Sequence, residues 1–380
     1  MNIPFYVQHC TGQEESALLS CLNTELATDG LFTKKVLSQL SSVYSDRDSR
    51  YMLTASCSLA LETALEMCGL SGGDEVLLPS YNFPSAANAV LKAGGVPVFC
   101  DIDPDTQNIS LKDAAGRITS RTRAIIPVHY AGISCDMDSL LKLAREAGLA
   151  VIEDAAQAID AFYKEASLGT MGDFGCVSFH YTKNISCGEG GLLLCRDRSD
   201  FEKARCYRVH GTNRDAFFNG ECDRYTWVCP GSSTAVSELC AALLSAQLSG
   251  LHQITAARKR RLQDYLDFLK PLEQEGYARL MAVPDYASPN GHIFYLRFAS
   301  QALRERMRTL LMEHGIDAKT HYVPLHISPM GARLGYKQSD FPESLACYDT
   351  LLRLPIHTRL TRQQVCEISE IMIKGIRFYG

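Results

Sequence analysis

Between residues 75 and 153, short apolar runs alternate with helix-forming stretches, and that rhythm restricts the fold more than any other feature of the chain. Glu75-Val76-Leu77-Leu78-Pro79, Val96-Pro97-Val98-Phe99-Cys100, Ala124-Ile125-Ile126-Pro127-Val128 and Ala150-Val151-Ile152-Glu153 have strand length and are apolar nearly throughout. A strand apolar on both faces must be covered on both faces. The intervening stretches 85–92, 111–118 and 137–147 repeat apolar residues at helical spacing. Just upstream, 58–68 has the same spacing and good helix formers, and Gly72-Gly73-Asp74 marks a turn. The pattern predicts an α/β fold with a mostly parallel sheet flanked by helices. Residues 175–179 and 191–195 add two strands; 200–208 and 236–248 read as helices.

The texture changes after about residue 250. Ala256-Ala257-Arg258-Lys259-Arg260-Arg261 opens a long charged amphipathic helix, followed by a strand at 292–298, a helix at 303–314, a Pro-containing loop and a last helix at 362–378. A large α/β domain over 1–250 and a small C-terminal α+β domain over 251–380 are expected. The basic run at 258–261 reads as a solvated helix face. With a net charge of −5 the chain carries no nucleic-acid footprint. It has no apolar run of about 18 residues, so no membrane-spanning helix is expected. The start, Met1-Asn2-Ile3-Pro4-Phe5-Tyr6, lacks a basic segment and a long apolar one, which excludes a signal peptide and makes the cytoplasm the expected location. None of the 15 cysteines pair at C-x-x-C spacing, so they are read as reduced thiols, mostly small core hydrophobes, and no metal site is expected.

The chemistry is concentrated around one lysine. A lone lysine is usually a solvated surface group. Lys183, however, follows the strand at 175–179 and leads into Gly188-Glu189-Gly190-Gly191, downstream of Glu153-Asp154-Ala155-Ala156-Gln157. An apolar strand ending in Asp, then a strand leading to a Lys in a Gly-rich turn, is what pyridoxal 5′-phosphate (PLP) chemistry needs. The Lys amine holds the cofactor covalently, and the Asp carboxylate keeps the pyridine nitrogen protonated so that the ring accepts electrons. Ser56 and Ser58 precede a predicted helix, where they serve either as caps or as phosphate ligands at its N-terminus. Tyr81 and Phe83 follow a strand and suit either core packing or stacking on a flat ring. Gln157 could reach a phenolic oxygen, and Ser178 a phosphate. Asn213, Arg214, His321, Tyr322 and His326 offer hydrogen-bond donors and one fixed positive charge for a diphosphate and hydroxyls.

Taken together, these stretches resemble the DegT/DnrJ/EryC1/StrS sugar-nucleotide aminotransferases. The likeness also includes Gly73-Asp74-Glu75-Val76, Asp101-Ile102-Asp103 and Ile126-Pro127-Val128-His129-Tyr130-Ala131-Gly132, and it runs over nearly the whole chain. Within that family, Ser178-Phe179-His180-Tyr181-Thr182-Lys183-Asn184, Gly211-Thr212-Asn213-Arg214 and Asp223-Arg224-Tyr225-Thr226-Trp227 with Gly231-Ser232-Ser233 are similar to dTDP-4-amino-4,6-dideoxygalactose transaminases. The resemblance implies PLP fold type I and a homodimer whose sites draw on both subunits. It makes Lys183 and Asp154 catalytic, and it puts Ser56, Cys57 and Ser178 around the phosphate, Phe83 on the ring and Gln157 at the phenolic oxygen. It brings His321-Tyr322-Val323-Pro324-Leu325-His326 to the sugar nucleotide. Many members carry an Asn that reaches the partner's phosphate where this chain has Ser233-Thr234-Ala235, so that contact falls to Ser232 and Ser233. The implied reaction aminates dTDP-4-keto-6-deoxyglucose from glutamate for a surface polysaccharide such as enterobacterial common antigen. A gluco epimer, a C3-keto sugar and a UDP-sugar stay open. A dehydratase of the same family, which carries His at the lysine position, and a silent PLP-fold scaffold are the contrary readings.

Overall fold

The computed structural model describes residues 2–44 and 50–379, so the outer limits of the expected domains, residues 1 and 380, lie outside the described residues. Its strands are β1 (Tyr51–Thr54), β2 (Glu75–Pro79), β3 (Val96–Cys100), β4 (Thr122–Ile125), β5 (Ala150–Asp154), β6 (Phe162–Tyr163), β7 (Ala166–Ser167), β8 (Phe174–Ser178), β9 (Gly191–Cys195), β10 (Ala278–Leu280), β11 (Ala287–Ser288), β12 (Phe294–Phe298) and β13 (Leu351–Leu354). Its helices are α1 (Glu14–Leu22), α2 (Leu31–Tyr44), α3 (Cys57–Met67), α4 (Ser85–Lys92), α5 (Leu111–Arg117), α6 (Met137–Ala147), α7 (Arg198–Arg208), α8 (Arg214–Phe218), α9 (Glu238–Ser249), α10 (Leu251–Gln274), α11 (Gln301–Glu313), α12 (Pro329–Arg333), α13 (Pro342–Thr350) and α14 (Arg362–Tyr379).

A seven-stranded sheet of order β1-β9-β8-β5-β4-β2-β3 organises the first two-thirds of the chain. The neighbours from β8 to β3 are all parallel, while β9 runs antiparallel to both β8 and β1. Successive side chains of a strand face opposite ways. Leu77, Ile125, Val151 and Val177 therefore join one core, with Val36 and Leu40 of α2, Leu140 of α6 and Leu244 of α9. Val76, Leu78, Ala124, Ile152 and Cys176 join the other, against Ala60, Leu61 and Ala64 of α3 and Phe201 of α7. Each fully buried Leu or Val contributes roughly 1.5–3 kcal/mol relative to exposure, which is why helices cover both faces of the apolar strands; β3 still lies at the sheet's edge.

A three-stranded antiparallel sheet, β10-β12-β13, carries a separate core with Tyr265, Phe294, Leu296, Leu311, Leu352, Ile368 and Met372. Helix α10 bridges the two regions: Leu251 and Ile254 belong to the first core, Leu262, Tyr265 and Leu269 to the second. Strand β11, from the later part of the chain, pairs with β6 of the earlier part.

Three sequence expectations change. The strand expected at 124–128 ends at Ile125, because Pro127 has no N–H for a ladder, and the chain turns through a buried Tyr130–Gly132 segment instead. The Pro-containing loop expected after 314 contains α12, α13 and β13; β13 is a strand because it pairs with β12, a contact remote in sequence. The basic run is not a uniformly solvated face. Arg258 is buried, with Nε donating to the Gly291 carbonyl at 3.0 Å and Nη2 to the His292 carbonyl at 2.9 Å.

Candidate active site

Parallel strands end on a common edge, and the crevice there is where open α/β sheets bind ligands. Asp154 is the last residue of β5 and Ser178 the last of β8. Beyond Ser178 the chain makes the turn that holds Lys183 and re-enters the sheet as β9 at Gly191, which pairs with both Ser178 and Thr54. Gly191 is required there. A Cβ on it would stand 2.4 Å from the Ser56 carbonyl carbon and 2.5 Å from the Cys57 nitrogen, so the absent side chain lets the start of α3 press against the lysine turn. Ser56 caps α3 by accepting the Leu59 N–H at 3.2 Å, a contact of about 1 kcal/mol. The first-turn N–H groups of the helix are thus aimed at the edge where Asp154 and Ser178 end.

A cavity of about 540 Å³ opens at this edge. Lys183, Asp154, Cys57, Phe83, Gln157, Ser178, His321 and Tyr322 all line it. Burial lowers the pKa of Lys183, against the pull of Cys57 and Asp154. Burial raises that of Asp154, tempered by the Ala156 N–H at 3.1 Å and by the Lys183 charge. Gln157 is fixed end to end: its Oε1 accepts the Ala131 N–H at 2.7 Å, which leaves Nε2 as the donor facing the Tyr322 hydroxyl at 3.4 Å. Tyr322 also packs edge-on against Tyr81, 5.9 Å between ring centroids, while Phe83 is 58% exposed at the rim. Burial holds His321 well below the ordinary histidine pKa, and its Nδ1 meets the Tyr130 hydroxyl at 3.0 Å.

Beneath Asp154, Glu153 is buried and gathers four donors. The N–H groups of Gly169, Met171 and Gly172 lie at 2.8, 2.6 and 2.6 Å, and His129 Nε2 at 2.9 Å. This pins the segment before β8 to the end of β5, which sets the spacing of the two strands that carry Asp154 and the lysine turn.

Other sequence candidates lie outside this chain's cavity. Ser56 sits behind it as the α3 cap. His326 is buried with its Nδ1 2.6 Å from the Ser80 hydroxyl. Asn213 ties its own loop together through the Thr226 N–H and the Arg224 carbonyl. Arg214 donates to the Thr28 carbonyl at 3.1 Å and lies near Asp29 and Asp215. Ser232 and Ser233 belong to the strip that follows, where Ser232 exchanges backbone hydrogen bonds with Tyr207 and His210. Conversely, Phe5, Tyr6, Arg258, His292, Lys319 and Arg353 line the cavity and were not singled out from sequence. They come from the amino-terminal arm, α10 and the second sheet. Only Arg258 had a visible signal, a charge inside an amphipathic pattern.

The family model for the DegT/DnrJ/EryC1/StrS aminotransferases matches residues 10–373. The chain belongs to that family. Among curated proteins it is 33% identical over 340 residues to the spore coat polysaccharide biosynthesis protein SpsC of Bacillus subtilis, covering 84% of each chain. Among solved structures it superposes on the aminotransferase TlmJ from Streptoalloteichus hindustanus with a TM-score of 0.91 at 25% identity, over 100% of both chains. The PLP form of Spr1654 from Streptococcus pneumoniae also gives a TM-score of 0.91, at 24% identity over 100% of this chain and 99% of that one, a likeness of fold.

This DegT-family chain is an aminotransferase with the fold of PLP-dependent aminotransferases, and its cofactor is PLP. The cavity fits that group: a buried amine of lowered pKa, a buried carboxylate at a strand end, a helix N-terminus beside the Ser178 hydroxyl, and an approach at Gly191 that any Cβ would fill. Among the described residues no cluster of His, Cys, Asp or Glu could hold a metal ion, and no helix is long and apolar enough to cross a membrane.

Proposed function

We propose that the enzyme transfers the amino group of L-glutamate to dTDP-4-keto-6-deoxy-D-glucose, giving dTDP-4-amino-4,6-dideoxy-D-galactose and 2-oxoglutarate. The observation that carries the chemistry is the opening of Lys183 and Asp154 into one cavity, with the amine pushed toward its neutral form. The choice of sugar rests on the sequence likeness of 178–184, 211–214 and 223–233 to the transaminases named above. The relative SpsC, named for polysaccharide biosynthesis, supports a nucleotide-sugar product.

PLP, when bound, supplies an electron sink for the bond broken at the substrate carbon. Lys183 holds the cofactor, and its freed Nζ takes the proton from the glutamate α-carbon and delivers it across the site. A neutral amine is needed for that step, and burial favours it. Asp154 keeps the ring nitrogen protonated. Gln157 Nε2 is the donor for the phenolic oxygen, because its Oε1 is already occupied by the Ala131 N–H. Phe83 covers the ring face, and Cys57 and Ser178 receive the phosphate with the start of α3, which Ser56 caps. His321 and Tyr322 meet the sugar. Both half-reactions use one site, so ping-pong kinetics follow.

The working unit in this reading is a homodimer. Asn213, Arg214, Ser232 and Ser233 stand outside their own cavity, on a segment with exposed Phe218, Tyr225, Trp227 and Val228. That segment reaches the partner's site. The molecule divides at 250/251, with α10 as the joint. The test is a product assay with dTDP-4-keto-6-deoxyglucose and glutamate, with the C4 configuration read by NMR. The galacto amino sugar is expected. A gluco product, amination at C3, or turnover of a UDP-sugar alone would replace this substrate with that one.

A further inference from the structure

His292 lines the cavity with one ring nitrogen unused, and the hydrogen bonds behind it fix what that nitrogen can do. The chain just before it is tied to the Asp154 side of the site. Asn290 Nδ2 donates to the Gln157 and Ile159 carbonyls at 3.0 and 2.7 Å, which leaves its Oδ1 to accept the His292 N–H at 3.0 Å. Arg258 holds the His292 carbonyl at 2.9 Å. Gly291, at φ +65°, leaves no room for a side chain between them, since a Cβ would stand 2.7 Å from the Arg258 carbonyl carbon. The ring is oriented by Asn184, the neighbour of Lys183. Asn184 Nδ2 faces the Asn290 carbonyl at 3.2 Å, a group that only accepts. Asn184 therefore turns Oδ1 to the ring, and His292 Nδ1 must donate to it, at 3.0 Å. Burial, with the charges of Lys183, Arg258 and Arg353, holds the ring in its neutral form. A neutral imidazole has one N–H, so Nε2 is a bare lone pair. Nε2 has no hydrogen-bond partner among the described residues, and it is not one of the buried atoms closed off from open space.

A fixed lone pair of this kind sorts the two substrates. It gives nothing to a carboxylate or a phosphate, which only accept, and it suits a hydroxyl, which donates. Glutamate brings two carboxylates and an amine that is committed to the transfer. The keto sugar brings hydroxyls. In 4-keto-6-deoxyglucose C4 and C6 carry none, so the hydroxyl beside the reacting carbon is the one on C3. Lys183 works at that reacting carbon, and it is near enough to His292 for its charge to act on the ring. The hydroxyl within reach of Nε2 is therefore the one next to the ketone.

We propose that His292 is a specificity-determining residue whose Nε2 accepts the hydrogen of the sugar hydroxyl adjacent to the ketone, while Asn184 and Asn290 hold the ring in place. The assignment rests on the substrate reading above and names the group by which the site selects that sugar over one lacking the C3 hydroxyl.

Two sugars and two variants test this with holoenzyme. Amination of dTDP-4-keto-6-deoxyglucose and of its 3-deoxy counterpart is measured for the parent, His292→Asn and His292→Phe. The glutamate-driven change in cofactor absorbance, which needs no sugar, is recorded alongside. His292→Asn can keep an amide N–H for Asn184 while the Nε2 lone pair is gone; His292→Phe loses both. The parent is expected to prefer the 3-hydroxy sugar in kcat/KM by ~10-fold or more. His292→Asn should lose ~10-fold or more on that sugar, stay within about twofold of the parent on the 3-deoxy sugar, and leave the glutamate change within about twofold. His292→Phe should lose the preference as well, whatever its absolute rate. A parent that takes both sugars alike overturns the proposal without recourse to any variant, and leaves the substrate reading standing. A preference retained in His292→Asn overturns it too. So do equal losses in the glutamate and sugar half-reactions, which would make His292 a support for Lys183. A parent that gives the glutamate change and aminates neither sugar removes the substrate reading, and the hydroxyl contact with it.

Discussion

At the residue scale, the site depends on burying an amine and a carboxylate that would each prefer water. Burial lowers the pKa of Lys183, so the folded state disfavours its charged form relative to the unfolded chain. The unfolded state then binds the extra proton between the lowered folded pKa and the ordinary lysine value of about 10.4, and stability rises with pH across that window. Below the window the whole cost is present. Cofactor-free Lys183→Met should therefore resist urea at pH 7 at least as well as the cofactor-free parent, and the difference should shrink above pH 10. A variant clearly weaker at pH 7 would mean that the lysine is stabilising through a partner. Asp154→Asn makes the companion test. It keeps the size and removes the charge that holds the pyridinium proton, so kcat should fall at least about a hundredfold, or roughly 2.7 kcal/mol of barrier. Near-parental turnover would show that another group protonates the ring.

At the level of elements, the site is an alignment of strand ends and one helix start. Glu153 sets the separation of β5 and β8 by collecting three backbone N–H groups, and Gly191 sets the approach of α3 to β9. The Gly191 constraint is steric, since its Cβ would collide with backbone that cannot move without moving the helix. Gly191→Ala should lower stability by about 1–3 kcal/mol, as overpacking does. It should also weaken PLP binding, read by cofactor titration, because the helix start would be displaced from the phosphate position. Unchanged cofactor affinity alongside lower stability would show that the phosphate does not depend on α3.

For the whole molecule, the decisive question is which chain completes which cavity. Arg214 lies outside its own cavity, held by the Thr28 carbonyl and beside Asp29. If its segment serves the partner, mixing inactive Lys183→Ala with weakened Arg214→Ala under subunit exchange should restore sugar amination. Each mixed dimer then holds one site with a parental lysine and a parental arginine. If Arg214 serves its own chain, no mixed site can be complete, and mixing will restore nothing. Steady-state rates after refolding the two variants together distinguish the cases.

Local sequence determined much of this protein. The apolar runs at 75–79, 96–100 and 150–153 became parallel strands because their length and nearly continuous apolar character call for cover on both faces. Asp154 and Lys183 were legible because strand-end residues and a Gly-rich turn are local features, and the edge they share follows from strands running parallel. Tertiary structure alone decided the far wall. Arg353 lies on β13, a four-residue strand defined by pairing with β12, and Arg258 looks from sequence like any other charge on a helix until Gly291 and His292 close over it. Phe5 and Tyr6 reach the cavity from an arm with no periodic pattern. Such contacts depend on how separate elements dock, through packing between residues tens to hundreds of positions apart. Periodicity and spacing report only on neighbours along the chain.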